Sequence, residues 1–296
     1  MHFHERPCRC MANAGCGVNV DPALSFLPAY GVAERVAPAI RRLTAGNAGP
    51  LTFRGTNCYL LGEEEITVID PGPDDDAHVA DLIAAAGGSI RCILVTHDHA
   101  DHAGAARRLS ELTGAEVLGS APSPSRPFYR PDRVLADEEM VTTEAGNLQV
   151  VATPGHAAGH LCFDLAGLDF LFSGDHVMGW STSVVVPPDG RMADYMASLD
   201  RLADIGARSY LAGHGGPVTD GLARVDELKR HRQAREAAIL RALDSGDRTV
   251  QEIVSAVYIG LDPALAGAAA LSVTAHIDWL EERGLVRKAG DRLSRC

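Results

Sequence analysis

The chain has 296 residues, 46% hydrophobic and 22% charged, with 27 basic against 39 acidic side chains and a formal net charge of −12. That composition excludes disordered, collagenous and membrane classes, and the charge has the wrong sign for a protein held to nucleic acid by its whole surface. The charge is uneven: residues 1–220 carry 15 basic and 28 acidic side chains, a balance of −13, while 221–296 carry 12 and 11, a balance of +1.

Residues 1–27 read as a leader expected to be disordered. Cys8, Cys10 and Cys16 with His2 and His4 offer a metal knuckle, but no second Cys-x-x-Cys pair or compact His pair completes one; a start before Met11 is the plainer reading. The N-terminus lacks the apolar core of a signal peptide, and no apolar run approaches the ~18 residues of a membrane span. Seven cysteines is an odd count, and Cys58, Cys92 and Cys162 lie in apolar runs where a thiol packs as a small hydrophobe. These features predict a cytoplasmic protein with no membrane contact.

From Leu51 onward, strand-like and helical runs alternate. Strands are expected at Asn57 to Leu61, Ile66 to Asp70 and Cys92 to Thr96, with helices at His78 to Ala86 and Ala105 to Leu112. Further strands follow at Glu116 to Leu118, Leu148 to Thr153, Leu161 to Leu165 and Leu168 to Ser173. The turn at Ala166-Gly167 makes the last two an antiparallel hairpin, so the sheet content is mixed. Beyond Val218, Leu222 to Leu243 reads as one long helix. Thr249 and Glu252 form a capping-box signature for a helix to Val257, Asp262-Pro263 opens another, and a third is expected at Val273 to Arg283. Gly284 closes it, and a hairpin turns at Ala289-Gly290-Asp291, the outline of a winged helix. The division expected is 1–27 leader, 28–220 catalytic domain, and 221–296 linker helix with winged helix.

The chemistry is concentrated where the apolar strand Ile93-Leu94-Val95 runs into Thr96-His97-Asp98-His99-Ala100-Asp101-His102. His97 and His99, at alternate positions beyond a strand end, can face one point; Asp101 and His102 can turn to a second as the chain enters a helix. Two metals a few ångströms apart are the natural reading. His156, Asp175 and His214 each follow an apolar strand with a glycine beside them, which lets the backbone turn a side chain into a shared site.

This pattern of His-x-His-x-Asp-His with separate His, Asp and His residues resembles the metallo-β-lactamase superfamily, over roughly residues 36–220. The resemblance implies an α/β fold, an αββα sandwich with metals at one edge, here followed by a C-terminal winged-helix domain. It implies that His97, His99 and His156 bind one metal, Asp101, His102 and His214 the other, and that Asp175 bridges them. Asp70 matches the aspartate that such proteins place beneath the site. True zinc β-lactamases lack the bridging aspartate. Relatives with a large inserted domain need more chain than the 39 positions between Asp175 and His214. Flavodiiron relatives carry a glutamate at the position of His99, and glyoxalase II enzymes usually carry three consecutive histidines. The run Ser173 to Thr182, the Pro187-Pro188-Asp189-Gly190 loop and the winged helix look like the β-lactamase-like protein 2 subfamily. Its animal member is a single-strand endoribonuclease, which makes RNA phosphodiester cleavage one expectation; a small ester, thioester or lactone, as for glyoxalase II, is the other.

With nitrogen and oxygen donors only, two Zn2+ per chain are expected, and manganese or iron suit the same set. The expected mechanism is attack by a metal-bridging hydroxide oriented by Asp101 and Asp175. His176 reads either as a proton donor to the leaving group or as a supporting or surface group. His160 is expected to orient its neighbours, and Asp98 to point away from the metals, to solvent or a helix cap. Trp180 to Ser183 and Pro187-Pro188 either line the substrate mouth or form a rigid structural loop. In the winged helix, Arg283, Arg287, Lys288, Arg292 and Arg295 are interleaved with Asp278, Glu281, Glu282 and Asp291. Nucleic-acid binding and a packing or dimer contact are both open there. A metal-sensing DNA-binding regulator is the non-enzyme reading; sensors do not need an open binuclear centre.

Overall fold

A computed structural model describes residues 23–296 except 124 and 207. The first sheet has seven strands in sequence order: β1 (Glu34–Ala37), β2 (Ile40–Thr44), β3 (Asn57–Leu61), β4 (Glu65–Ile69), β5 (Ser89–Val95), β6 (Glu116–Gly119) and β7 (Arg133–Val134). The first four pair antiparallel. From β4 on the pairing is parallel: α1 (Asp76–Ala86) crosses from β4 to β5, the short α2 (Ala100–Ala103) and α3 (Ala106–Thr113) from β5 to β6, and a connection with no helix among its described residues from β6 to β7. Asp75 caps α1 by accepting from the His78 amide, and Gly87 ends it in the left-handed region at φ 66°.

The second sheet holds β8 (Met140–Thr143), β9 (Gly146–Ala152), β10 (Leu161–Leu165), β11 (Phe170–Gly174) and β12 (Ser209–Ala212) in the order β12-β11-β10-β9-β8. It is antiparallel except for β11 with β12, which α4 (Met192–Ile205) connects. Strand alternation sorts the side chains into layers. Tyr59, Ile69 and Leu94 face Val150, Phe163 and Phe172 between the sheets. Ile93 and Val95 face Val79, Leu82 and Leu109 of the helices outside the first sheet. Outside the second, Tyr195, Leu199 and Leu202 of α4 cover Cys162, Leu171 and Tyr210. This is the αββα sandwich the sequence predicts.

Beyond it run α5 (Gly221–Leu243), α6 (Val250–Val257), α7 (Ala266–Glu282) and the hairpin β13 (Val286–Ala289) and β14 (Arg292–Arg295). Thr249 and Glu252 form the reciprocal capping box. Two expectations change. The helix opening at Asp262-Pro263 and the one expected from Val273 are one element: Pro263–Leu265 makes a single 3-10 turn and α7 then runs unbroken, since nothing between Gly267 and Val273 breaks a helix. Residues 23–27, read as the end of the leader, pack on the domain instead: Ala23 and Phe26 are buried, with the Arg42 guanidinium 4.2 Å over the Phe26 ring. His2, His4, Cys8, Cys10 and Cys16 lie outside the described residues. No helix among the described residues is long and apolar enough to cross a membrane.

Candidate metal centre

Each candidate ligand leaves the end of a strand along one edge of the sandwich. β5 ends at Val95, and His97, His99, Asp101 and His102 follow through the first turn of α2. Asp175 follows β11, where Gly174 takes φ 47°, and His214 follows β12. The floor beneath them is main chain: the Gly213 amide donates to the Gly174 carbonyl at 2.8 Å. A Cβ on Gly174 would stand 2.6 Å from His160 Nε2, and one on Gly213 would stand 2.5 Å from His102 Cε1 and 2.7 Å from Asp175 Oδ1.

Seven donors converge in two groups. His97 Nε2 lies 2.9 Å from His99 Nδ1, which lies 3.1 Å from His156 Nε2. In the other group His214 Nε2 lies 3.3 Å from His102 Nε2 and 3.3 Å from Asp101 Oδ2. Asp175 joins them: Oδ2 is 3.3 Å from His214 Nε2 and 3.8 Å from His156 Nε2, and Oδ1 is 3.3 Å from His102 Nε2. The outer nitrogens have their own partners. His102 Nδ1 donates to Asp70 Oδ2 at 2.8 Å, His156 Nδ1 to the Val184 carbonyl at 2.5 Å, and His214 Nδ1 to the Gly55 carbonyl at 3.2 Å. Thr96 Oγ1 donates to Asp70 Oδ2, so it accepts from His97 Nδ1. With each ring neutral, the inward nitrogens would present lone pairs to one another, an arrangement that a cation between them satisfies. A tetrahedral ion with bonds of about 2.0–2.1 Å spaces its donors about 3.3 Å apart, which these separations match. The donor set fits a divalent metal.

Electrostatics divides the groups. Burial and the neighbouring imidazoles hold His97 well below its ordinary value, and burial brings His156 down to about 4. Burial opposes charge on His102 and His214 as well, yet Asp175 and Asp101 outweigh it, raising His102 and bringing His214 to about 9. Burial raises Asp101 and Asp175, but the facing histidines hold Asp101 at about 2 and Asp175 well below the usual carboxylate range.

The supporting residues separate. Asp70, left-handed at φ 52°, also accepts from the Thr96 amide at 2.7 Å and ties β4 to the motif. His160 Nδ1 donates to Thr153 Oγ1 at 2.8 Å and its Nε2 accepts from the Asp175 amide at 3.2 Å, so it fixes the backbone that presents Asp175. His176 is not a surface group, and it is not among the residues that line the cleft. The turn after Gly174 sends it into the core, fully buried against Tyr195 at 4.6 Å between centroids, and burial brings its pKa to about 3. Asp98 does point away from the donors, but into a buried ion pair with Arg126 at 2.8 Å rather than to solvent.

The sequence reading missed two participants. Asp189 Oδ2 lies 3.7 Å from His99 Nε2 and 2.8 Å from Arg126 Nη1, and the His99 contact leads in holding its carboxyl low. Arg126 thus joins Asp98 to Asp189 across the cleft. Asp189 was visible only as part of a mouth loop, and nothing near Arg126 marks it. Above the donors opens a cavity of about 570 Å³ whose walls include Leu51, Met178, Trp180, Val184, Val186 and Pro187. Trp180 stands at this mouth, stacked on Phe53 at 4.9 Å.

Residues 51–214 match the profile of the Metallo-beta-lactamase superfamily, and residues 249–295 that of the Beta-lactamase associated winged helix domain. The chain belongs to this superfamily and is a metal-dependent hydrolase. Within it the chain falls in the β-lactamase-like protein 2 group. It is 31% identical to the "Beta-lactamase-like protein 2 homolog" of Drosophila melanogaster, across 89% of this chain and 94% of that one. It is also 32% identical to a protein of Aspergillus chevalieri named "Atrochrysone carboxyl ACP thioesterase", across 90% and 86% of the two chains. Among solved structures, a metallo-beta-lactamase family protein from Thermus thermophilus superposes with a TM-score of 0.75 at 29% identity, covering 88% of this chain and all of that one.

Proposed function

We propose that the chain hydrolyses a thioester with an apolar acyl group, using two zinc ions, one held by His97, His99 and His156, the other by Asp101, His102 and His214, with Asp175 between them. The observation that carries this reading is the cleft: its walls are largely apolar, and its one cation among the described residues, Arg126, is already paired with Asp98 and Asp189. A phosphodiester chain is gripped by several unpaired basic groups. The winged helix offers few: Arg283 pairs with Glu236, Lys288 with Asp278 and Glu281, Arg292 with Glu252, and Arg295 with Asp244.

Bound divalent ions would supply a water of lowered pKa and polarise the substrate carbonyl. The protein's part is placement. Leu51, Met178, Trp180, Val184 and Val186 receive the acyl body, while His160 and Asp70 keep Asp175 and His102 aimed inward. The titratable groups on the cleft wall are His99, Asp101, Arg126, His156, Asp175 and Asp189, each a donor toward the centre or half of an ion pair. None is placed as a proton donor, which suits a thiolate leaving group with a pKa of about 8.5 better than an alkoxide. The thioesterase name of the Aspergillus relative supports the same class.

The test compares acyl thioesters of increasing chain length with end-labelled single-stranded RNA and lactones, using zinc-loaded wild type and Asp175→Ala. Thioester turnover by the wild type alone, with RNA intact, is expected. Cleavage of RNA by the wild type but not the variant, without thioester turnover, would replace this reading with the phosphodiesterase one.

A further inference from the structure

One wall of the cleft is a strap without regular secondary structure, from Met178 to Val184, in which the carbonyls of Met178, Ser181 and Ser183 accept from α5. Buried carbonyls need donors, and two arginines of α5 supply them. Arg224 donates from Nε to the Met178 carbonyl and from Nη2 to the Ser181 carbonyl, both at 2.9 Å. Two turns further along, Arg232, only 3% exposed, donates from Nη2 to the Ser183 carbonyl while its guanidinium lies 5.0 Å from the Tyr195 ring. Tyr195 and Ser183 both donate to the His176 carbonyl, at 3.1 and 2.7 Å, which fixes the same turn from the other side. The next carbonyl along the strap, that of Val184, accepts from His156 Nδ1.

α5 is anchored at both ends. Val225 and Leu228 pack on the second sheet's outer layer, and Ile239 and Leu243 enter the winged-helix core. Ala275 of α7 joins the α4 layer, and Glu282 at its end pairs with Arg191.

We infer that the C-terminal unit acts inward, as a clamp on the active-site strap, and that Arg224 and Arg232 are positioning residues that set both the cleft wall and the ring of His156. The route is short: guanidinium to strap carbonyl, strap to the Val184 carbonyl, Val184 to His156. Arginine suits this because one planar group bonds two carbonyls at once, as Arg224 does; a lysine would hold one. The inference concerns metal binding and holds whichever bond the enzyme hydrolyses.

The test uses full-length Arg224→Met, Arg224→Lys, Arg232→Met and Arg232→Lys, with Lys288→Ala on the hairpin as the comparison. Zinc affinity is read by chelator competition, the donor geometry by the visible absorption of the Co2+-substituted protein, and folding by thermal denaturation. Both methionine variants should bind zinc about tenfold more weakly, as for other groups that orient metal-bound histidines, with an altered cobalt spectrum. Arg224→Lys should recover part of the loss, and Lys288→Ala should match the wild type. Folded methionine variants with wild-type zinc affinity and cobalt spectrum would overturn the inference, even if their melting temperatures fall. Should Arg232→Met fail to fold, Arg224→Met decides by the same readings, since its side chain is 14% exposed and lies at the edge of the core.

Discussion

The two halves of the donor cluster share one seven-residue motif, completed by His156 on one side and His214 on the other, yet they end in opposite electrostatic states. His97 and His156 are buried among imidazoles and shed protons, while His102 and His214, no less buried, are driven to hold them. The difference is the facing carboxylate. At 3.3 Å a carboxylate and an imidazolium attract by about 5 kcal/mol at an effective dielectric of about 20, enough to overcome the cost of burial. The carboxylate side therefore calls for positive charge, and a metal there takes the place of protons. The imidazole side offers the neutral rings of His97, His99 and His156, with Asp175 as its one carboxylate.

Asp175 belongs to both halves, so removing it tests the comparison hardest. Asp175→Ala should lower the metal content of both and reduce turnover by ~1000-fold or more, because substrate polarisation and water activation fail together. Elemental analysis beside a turnover assay checks this; a variant with full metal content and full turnover would dissolve the distinction. Asp70→Asn and Asp189→Ala sharpen it from outside. Asp70 supports His102 directly at 2.8 Å and His97 only through Thr96, so its loss should weaken the carboxylate-side binding step most, by about 10–100-fold, and the imidazole-side step less. Asp189, 3.7 Å from His99 and partly exposed, should weaken only the imidazole-side step, by about tenfold or less. Stepwise titration against a chelator would separate the two.

A smaller effect lies away from the centre. His276 on α7 is fully buried, without a hydrogen-bond partner for either ring nitrogen among the described residues, and burial with nearby Arg232 and Arg235 brings its pKa to about 3. Below its unfolded value of about 6.5 the unfolded chain takes up a proton that the folded one refuses, so this group's contribution is complete above that pH and falls as pH drops toward 3. Between pH 6.5 and 5 the loss is on the order of 2 kcal/mol. Thermal unfolding at both pH values should show His276→Leu losing less stability than the wild type; equal losses would rule the group out as a source of acid sensitivity.

The sandwich and the seven donors were legible because the signals were local: an apolar strand running into a histidine motif, and a glycine beside each later donor. Among the missed elements, β2 hid its apolar content behind charge. β2 contains Arg41 and Arg42, but Arg41 spends its charge on the carbonyls of Gly62, Ala85 and Ala86, and Arg42 on Glu34 and the Phe26 ring. The α7 start was misplaced because Asp262-Pro263 opens a 3-10 turn as readily as an α-helix. The orienting contacts were hidden for another reason. The carbonyls of Val184 and Gly55 accept as main chain, which any residue type supplies, and Asp98 finds Arg126 only across 28 positions of chain.

The backbone floor formed by Gly174 and Gly213 bears on how this enzyme can change over time. A side chain at either position would strike a donor or the histidine behind one, so variation there is shut off while the chemistry is kept. Trp180, Ser181, Thr182 and Val184 of the strap and the Pro50-Leu51 edge line the cleft without forming this floor. Selectivity is thus free to drift while the reaction stays fixed, and a mutational library aimed at new substrates belongs on the rim.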